Sequence, residues 1–224
     1  MAFYQELGDI PVELAFLQDA IPISQQVSDV DVIIPAVSQI DAAVINAAPK
    51  LKLIAQAGVG LDGVDIDAAT KKKVFVTNVP YGSATSMGEL TLALMILLSR
   101  RLNEAQANLR KGIFFLPLGS ELGEKTLGLI GFGHSGKEAA KRARSFGMRI
   151  LAIDKYHAQI HSPDVDFLSG TDQLDKILTE SDFISLHCPL NEETRGIIGY
   201  DQLCKMKETA YLINIARAGL VERE

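Results

Sequence analysis

Short apolar runs bounded by glycine, proline or charge alternate along the chain with stretches whose apolar positions recur every three to four residues. The short runs read as buried strands and the periodic stretches as helices with one apolar face. In order, the pattern predicts a helix over 11–20, where Val12, Leu14, Ala15, Phe16 and Leu17 follow a proline suited to a first turn. Strands over 31–36, 51–56 and 74–77 then alternate with helices over 39–48 and 67–72. From Thr85 a long helix runs to about Arg110, apolar nearly all round in its first half, which implies burial between two bodies. Beyond it come strands over 127–130, 150–153, 183–189 and 210–217, with helices over 137–146, 174–181 and 201–206. Such alternation specifies parallel sheets with crossover helices. The junction between two domains falls near 83–89, which gives domains over 1–84 and 112–224 joined by a helix over 85–111.

Chemistry enters at Gly131-Phe-Gly133-His-Ser-Gly136. Glycines at G-x-G-x-x-G spacing sit between a predicted strand and a predicted helix. An acidic residue, Asp154, closes the next strand about 20 residues on. Gly131 permits a tight turn, Gly133 lets the backbone approach a pyrophosphate, and Gly136 lets the helix pack on the strand. The phosphates would rest on the free N–H groups and positive dipole end of that helix. Asp154 would accept the adenine ribose hydroxyls and repel a 2′-phosphate, which favours NAD over NADP, with the adjacent Lys155 pulling the other way. The bland alternative is a glycine turn in some other α/β protein.

Composition narrows the class. The 224 residues are 47% hydrophobic and 22% charged, with a net charge of −6, so a packed core is expected and nucleic acid is a poor partner. The one basic tract, Lys71-Lys72-Lys73, closes a predicted helix, where cations suit the negative dipole end. Cys188 and Cys204 form neither a disulfide framework nor a metal-binding spacing, so no metal and a cytoplasmic setting are expected. The first nine residues do not read as a signal sequence. The longest apolar run, 90–98, is well short of a membrane span, and no membrane role is expected.

Two further features bear on ligands. The segment Ala57-Gly58-Val59-Gly60-Leu61-Asp62-Gly63-Val64-Asp65 follows a strand, and its backbone N–H groups suit an anion such as a carboxylate; a plain strand-to-helix turn explains it as well. His187, Cys188 and Arg217 fall at strand ends on the side of a parallel sheet where ligands bind. A guanidinium there can grip a carboxylate in two-pronged fashion, although a surface salt bridge is the simpler reading of Arg217. His157 and His161 read as surface residues.

Five stretches together resemble the D-isomer-specific 2-hydroxyacid dehydrogenases. They are Ala57 to Asp65; Asn78-Val-Pro with Ser86-Met-Gly-Glu89; Thr126 to Asp154; Ser185-Leu-His-Cys-Pro-Leu190 with Glu193-Thr-Arg-Gly196; and Leu212-Ile-Asn-Ile-Ala-Arg217-Ala-Gly219. Phosphoglycerate dehydrogenase-like and glyoxylate/hydroxypyruvate reductase-like members are the nearest in flavour. The resemblance implies an α/β chain with a flavodoxin-like parallel-sheet substrate domain and a Rossmann NAD-binding domain, a cleft between them, and a homodimer. It implies that Arg217 orients a small 2-hydroxy or 2-oxo acid by its carboxylate and polarises its carbonyl, and that Gly58, Val59 and Gly60 bind the carboxylate. His134 and Ser135 would contact the phosphates, and Asp154 the ribose. Val59, Cys188, Ile215, Ala216 and Arg217 would line the cofactor.

In that family the base is a histidine supported by a glutamate, both after the arginine. The sequence ends at Glu224, seven residues past Arg217, so the pair is expected to lie outside it, and both domains are expected to be truncated. Two functions are then in play. One is an NAD-dependent D-2-hydroxyacid dehydrogenase represented by a partial, weakly active or inactive chain. The other is an NAD-binding regulatory or interaction module on the same fold.

Overall fold

A computed structural model describes residues 11–222. The chain divides into two compact units, Met1–Val79 and Pro80–Glu224. The first holds β1 (Val32–Ile33), α1 (Ala42–Ala47), β2 (Leu53–Ala55), α2 (Ile66–Lys72) and β3 (Phe75–Thr77). Its strands form one parallel sheet in the order β1-β2-β3. Ile40, Ile45 and Ile54 are wholly enclosed and pack with Val44, Ala69 and Val74.

Both helices of this unit start on an aspartate. Asp41 accepts the Val44 N–H and Asp65 the Ala68 N–H, each at 2.9 Å. Each satisfies one orphan donor and sets a negative charge at the positive helix end. At the far end of α2, Lys73 adopts a left-handed conformation (φ 58°). Lys72 Nζ reaches the carbonyls of Ile45 and Asn46 at 2.9 and 3.1 Å. The lysine tract thus closes the end of α1 as well as its own helix.

Residues 11–20 are not helical, contrary to their periodicity. A ten-residue helix is marginal in water unless it buries an apolar face, and Val12, Phe16 and Leu17 all remain exposed.

The second unit runs α3 (Ala84–Ser99), α4 (Leu102–Arg110), β4 (Thr126–Ile130), α5 (His134–Arg144), β5 (Arg149–Ile153), β6 (Phe167–Ser169), α6 (Leu174–Glu180), β7 (Phe183–Leu186), α7 (Tyr200–Lys205) and β8 (Tyr211–Asn214). Its five strands are all parallel, in the order β6-β5-β4-β7-β8. Side chains alternate between two cores. Leu127, Leu129, Ile150 and Ala152 pack on one face with Ala139, Ala140 and Ala143 of α5 and Met95 of α3. Ile130, Leu151, Ile153, Ile184 and Leu186 pack on the other with Ile177 and Leu178 of α6. Burial on both faces explains why β4 and β5 read as short continuous apolar runs.

Three details depart from the periodicity. The long helix predicted from Thr85 is two helices, because Arg101 takes a left-handed conformation (φ 51°). The returning chain donates Ser120 N–H to the Ser99 carbonyl at 2.8 Å, which occupies an acceptor that a continuing helix would use. Helix α5 begins three residues earlier than its apolar spacing suggests, and Phe146 lies beyond its end, 45% exposed. Edge strand β6 went unpredicted: three residues are too few to show a period.

α3 lies close on α5. A Cβ added at Gly88 would come within 2.8 Å of Glu138, so the two backbones approach to a distance only glycine allows. Asp182 gathers the starts of three strands. Its side chain accepts the Thr126 N–H of β4 at 2.8 Å and Lys207 Nζ at 3.0 Å, and its carbonyl accepts the Tyr211 N–H of β8 at 3.0 Å. Burial alone would raise its pKa, but the Thr126 N–H and the Lys207 ammonium hold the carboxyl below the usual aspartate range.

A lowered carboxylate pKa stabilises the fold above about pH 4 and loses that effect as pH falls through the folded value. Asp182→Ala should therefore cost about 1–3 kcal/mol at pH 7, where it strands the Thr126 N–H. The gap to the wild type should narrow in acid. Urea unfolding of both proteins at pH 7 and pH 3 measures this.

Candidate functional site

The carboxyl edge of the five-stranded sheet collects most of the residues singled out from the sequence. The chain leaves β4 for β5 on one side and returns to β7 on the other, so the ends of β4 and β7 flank a topological switch point, where open parallel sheets bind ligands. Gly131 follows β4 with φ 96°, and a Cβ there would fall 2.5 Å from the Cys188 nitrogen and 2.7 Å from the His187 carbonyl carbon. A Cβ at Gly136 would meet the Gly131 oxygen at 2.5 Å. These two glycines are required by close packing.

Gly133 differs: a Cβ there meets nothing within 4 Å. It is the N-cap of α5 in extended conformation, and no side chain caps the helix. The first backbone bond of α5 is Lys137 N–H to Gly133 O at 3.0 Å, so the N–H groups of His134, Ser135 and Gly136 lack helical acceptors. An open backbone surface with unspent donors at a positive helix end fits a diphosphate.

Asp154, at the end of β5, accepts the Phe132 N–H at 2.7 Å through one oxygen and the Tyr156 N–H at 2.8 Å through the other. The glycine loop thus fixes the carboxylate, whose remaining lone pairs can accept ribose hydroxyls. Lys155 turns to a carboxylate of its own, with Nζ 2.7 Å from both oxygens of Glu193.

His187 and Cys188 follow β7. The His187 ring has Nδ1 3.1 Å from Ser135 Oγ, and Nε2 3.0 Å from Ser185 Oγ and 3.5 Å from Thr91 Oγ1. Burial pushes its pKa down to about 4, so the ring is neutral at physiological pH. Burial, aided by the negative charge of Asp154, pushes the Cys188 thiol up to about 11, so it is not a thiolate nucleophile. His157 Nδ1 lies 3.1 Å from the Asp154 carbonyl oxygen, and His161 is exposed. The Tyr81 and His134 rings meet in a T-shaped arrangement, with centroids 4.3 Å apart. Sequence reasoning missed Tyr81, since no spacing links a turn residue ahead of α3 to the glycine motif.

Beyond β8, Ile215 packs against the core on one face of the sheet and Ala216 against the core on the other. Asn214 shapes the segment: its amide donates to the Arg217 carbonyl at 2.9 Å, and its oxygen accepts the Ala216 N–H at 3.1 Å. Arg217 is exposed, and its guanidinium donates to the Ala216 carbonyl at 2.9 Å.

In the first unit, the carbonyls of the 58–60 loop are all engaged. Gly58 O accepts the Val79 N–H at 3.1 Å, Val59 O the Asn78 amide at 2.7 Å, and Gly60 O the Gln56 amide at 3.0 Å. The N–H groups of these three residues donate to nothing among the described residues. Held acceptors and unused donors make the loop suited to an anion.

Residues 92–224 match the family described as D-isomer specific 2-hydroxyacid dehydrogenase, NAD binding domain. The chain belongs to that family. It is 41% identical over 201 residues to a hydroxypyruvate reductase of Thermotoga maritima, covering 88% of this chain and 64% of that protein. It is 36% identical over 225 residues to a D-3-phosphoglycerate dehydrogenase of Methanocaldococcus jannaschii, covering 98% and 42%. The crystal structure of a D-lactate dehydrogenase from Aquifex aeolicus, complexed with NAD and lactic acid, superposes with a TM-score of 0.84 at 32% identity, covering 99% of this chain and 67% of that one. The chain thus spans less than two thirds of the length of these two curated relatives. As in its family, the cofactor is NAD, and the open face at Gly133 with the fixed Asp154 fits it. Among the described residues, no group of three or more His, Cys, Asp or Glu could hold a metal ion. No helix there is long and apolar enough to cross a membrane.

Because a methyl group at Gly133 meets only open space, Gly133→Ala should leave the melting temperature within about 2 °C while obstructing the close approach of a phosphate. NADH affinity should fall by about tenfold or more, read by fluorescence titration beside a thermal melt.

Proposed function

We propose that the chain supports hydride transfer between C2 of a small D-2-hydroxy acid and NAD, the reaction of an NAD-dependent D-2-hydroxyacid dehydrogenase. The observation that carries this reading is the open, donor-rich turn at Gly133 beside Asp154, in a chain of this family. When bound, NAD supplies the hydride acceptor. The backbone of 131–136, with His134 and Ser135, holds the phosphates, and Asp154 takes the ribose. Cys188, Ile215 and Ala216 shelter the nicotinamide end from water. The Arg217 guanidinium grips the substrate carboxylate and polarises its carbonyl, and the N–H groups of Gly58, Val59 and Gly60 are, in the first unit by itself, a carboxylate-binding element.

The hydroxyl proton needs a base. Among the described residues no histidine pairs with a carboxylate, and His187 is neutral and engaged on both nitrogens. We therefore assign slow turnover to this chain by itself, since loss of a general base costs about 10²- to 10⁴-fold. We further propose a homodimer, because Phe114, Phe115, Leu116 and Leu118 form an exposed apolar run of the kind that marks an interface. A reducing, cytoplasmic setting suits the free Cys188 and Cys204.

The test is NADH binding by fluorescence together with NADH oxidation at 340 nm on glyoxylate, hydroxypyruvate and pyruvate. Binding with slow turnover is expected. Rapid turnover would overturn the assignment of the missing base, and binding with none on any acid would favour an NAD-binding regulatory module. Arg217→Gln should weaken oxamate, an unreactive 2-oxo acid analogue, by about tenfold on the NADH-loaded chain while changing NADH affinity little. Glu193→Gln frees Lys155 beside the ribose, so the preference for NADH over NADPH should shrink several-fold, measured as the ratio of the two dissociation constants.

A further inference from the structure

We propose that His187 is a positioning residue for the cofactor phosphates, acting through Ser135: its Nδ1–H donates to Ser135 Oγ and so leaves the Ser135 proton to donate to a phosphate oxygen. The inference rests on the NAD assignment and adds to it a side-chain donor and the group that orients it.

The hydrogen-bond bookkeeping around the ring fixes the direction. A neutral imidazole has one N–H and one acceptor nitrogen. Ser185 is completely enclosed, and among the described residues its hydroxyl has a single hydrogen-bond partner, His187 Nε2 at 3.0 Å. If Nε2 carried the proton, the buried Ser185 hydroxyl would have no acceptor, a costly arrangement. Thr91 does not compete for that role: it gives its proton to the Met87 carbonyl at 2.8 Å and stands 3.5 Å from Nε2. Nε2 therefore accepts from Ser185, and the ring proton is on Nδ1.

On that side Ser135 Oγ lies 3.1 Å away. With one lone pair taken by Nδ1–H, the Ser135 hydroxyl keeps its proton for another acceptor. Ser135 is in the first turn of α5, beside the uncapped backbone at Gly133, where that acceptor would be an anion. The ring is held by Ser185 of β7, while the hydroxyl it directs belongs to α5. The phosphate-binding turn is thereby oriented from outside its own segment.

The experiment combines ¹⁵N chemical shifts of the His187 ring with NADH dissociation constants for the wild type, Ser135→Ala, His187→Ala, the double variant and His187→Asn. The asparagine amide can replace Nδ1–H but does not reach Ser185. Expected results are a ring protonated at Nδ1, affinity about tenfold weaker for each alanine variant, and no further loss in the double variant. His187→Asn should retain most of the wild-type affinity. Additive losses in the double variant would overturn the proposal even if NADH binds, as would an Nε2-protonated ring in the NADH complex. Absence of NADH binding to the wild type would overturn the cofactor assignment and this inference together. The ring shifts require no variant to fold.

Discussion

The second unit depends on a contact that leaves no room for a side chain, where the turn after β4 lies against the first residues beyond β7. Gly131 meets the backbone of His187 and Cys188 there, and Gly136 packs over Gly131 in turn. Because the ends of β4 and β7 are held this close, α5 must start directly from the turn. Its unpaired N–H groups then open at the switch point and not over a helix-packing surface. The same contact brings His187 within hydrogen-bond distance of Ser135 and sets Cys188 near Asp154, whose charge helps keep the thiol protonated. Binding geometry and fold stability are thus one constraint at Gly131, and they part only at Gly133, where the backbone is open.

Helix α3 supports this arrangement from the side. Gly88 lets it approach α5, Met95 is wholly buried in the shared core, and Thr91 stands beside the His187 ring. Arg142 of α5 pairs with Glu138 on its own helix and with Glu89 of α3. The Glu89 carboxylate is largely exposed and 3.3 Å from the guanidinium, so that pair contributes little. What fixes the helix register is the steric requirement at Gly88, which a screened charge could not impose.

How much of this was legible in the sequence depends on how local each cause is. The glycine spacing and Asp154 could be read because strand, turn and helix follow one another directly, and the buried strands because both faces are apolar. The break between α3 and α4 could not, since its cause is a hydrogen bond from Ser120, well beyond the helix it ends. Residues 11–20 carried helical spacing without a buried face to enforce it. In the site, His187 was placed at a strand end but not linked to Ser135 and Thr91, which are 52 and 96 positions away. Asn214, which shapes the backbone at Arg217, looked like one polar residue closing an apolar strand.

The two glycine loops meet the same difficulty in different ways. A chain with a net charge of −6 repels an anionic ligand at long range, although salt confines that repulsion to about 8–10 Å. Within that distance recognition must be local. The loop at 58–60 has its three carbonyls engaged and its N–H groups unspent, and the modest partial charge this leaves is suited to the single carboxylate proposed for it. The turn at 131–136 adds the end of an eleven-residue helix, whose aligned dipoles suit the greater charge of a diphosphate. Backbone donors cannot titrate and cannot swing away, so this preference for anions persists across the pH range in which the fold itself survives. In the proposed function, side-chain charge is left for discrimination: Asp154 against a 2′-phosphate, and Arg217 for a carboxylate beside a carbonyl.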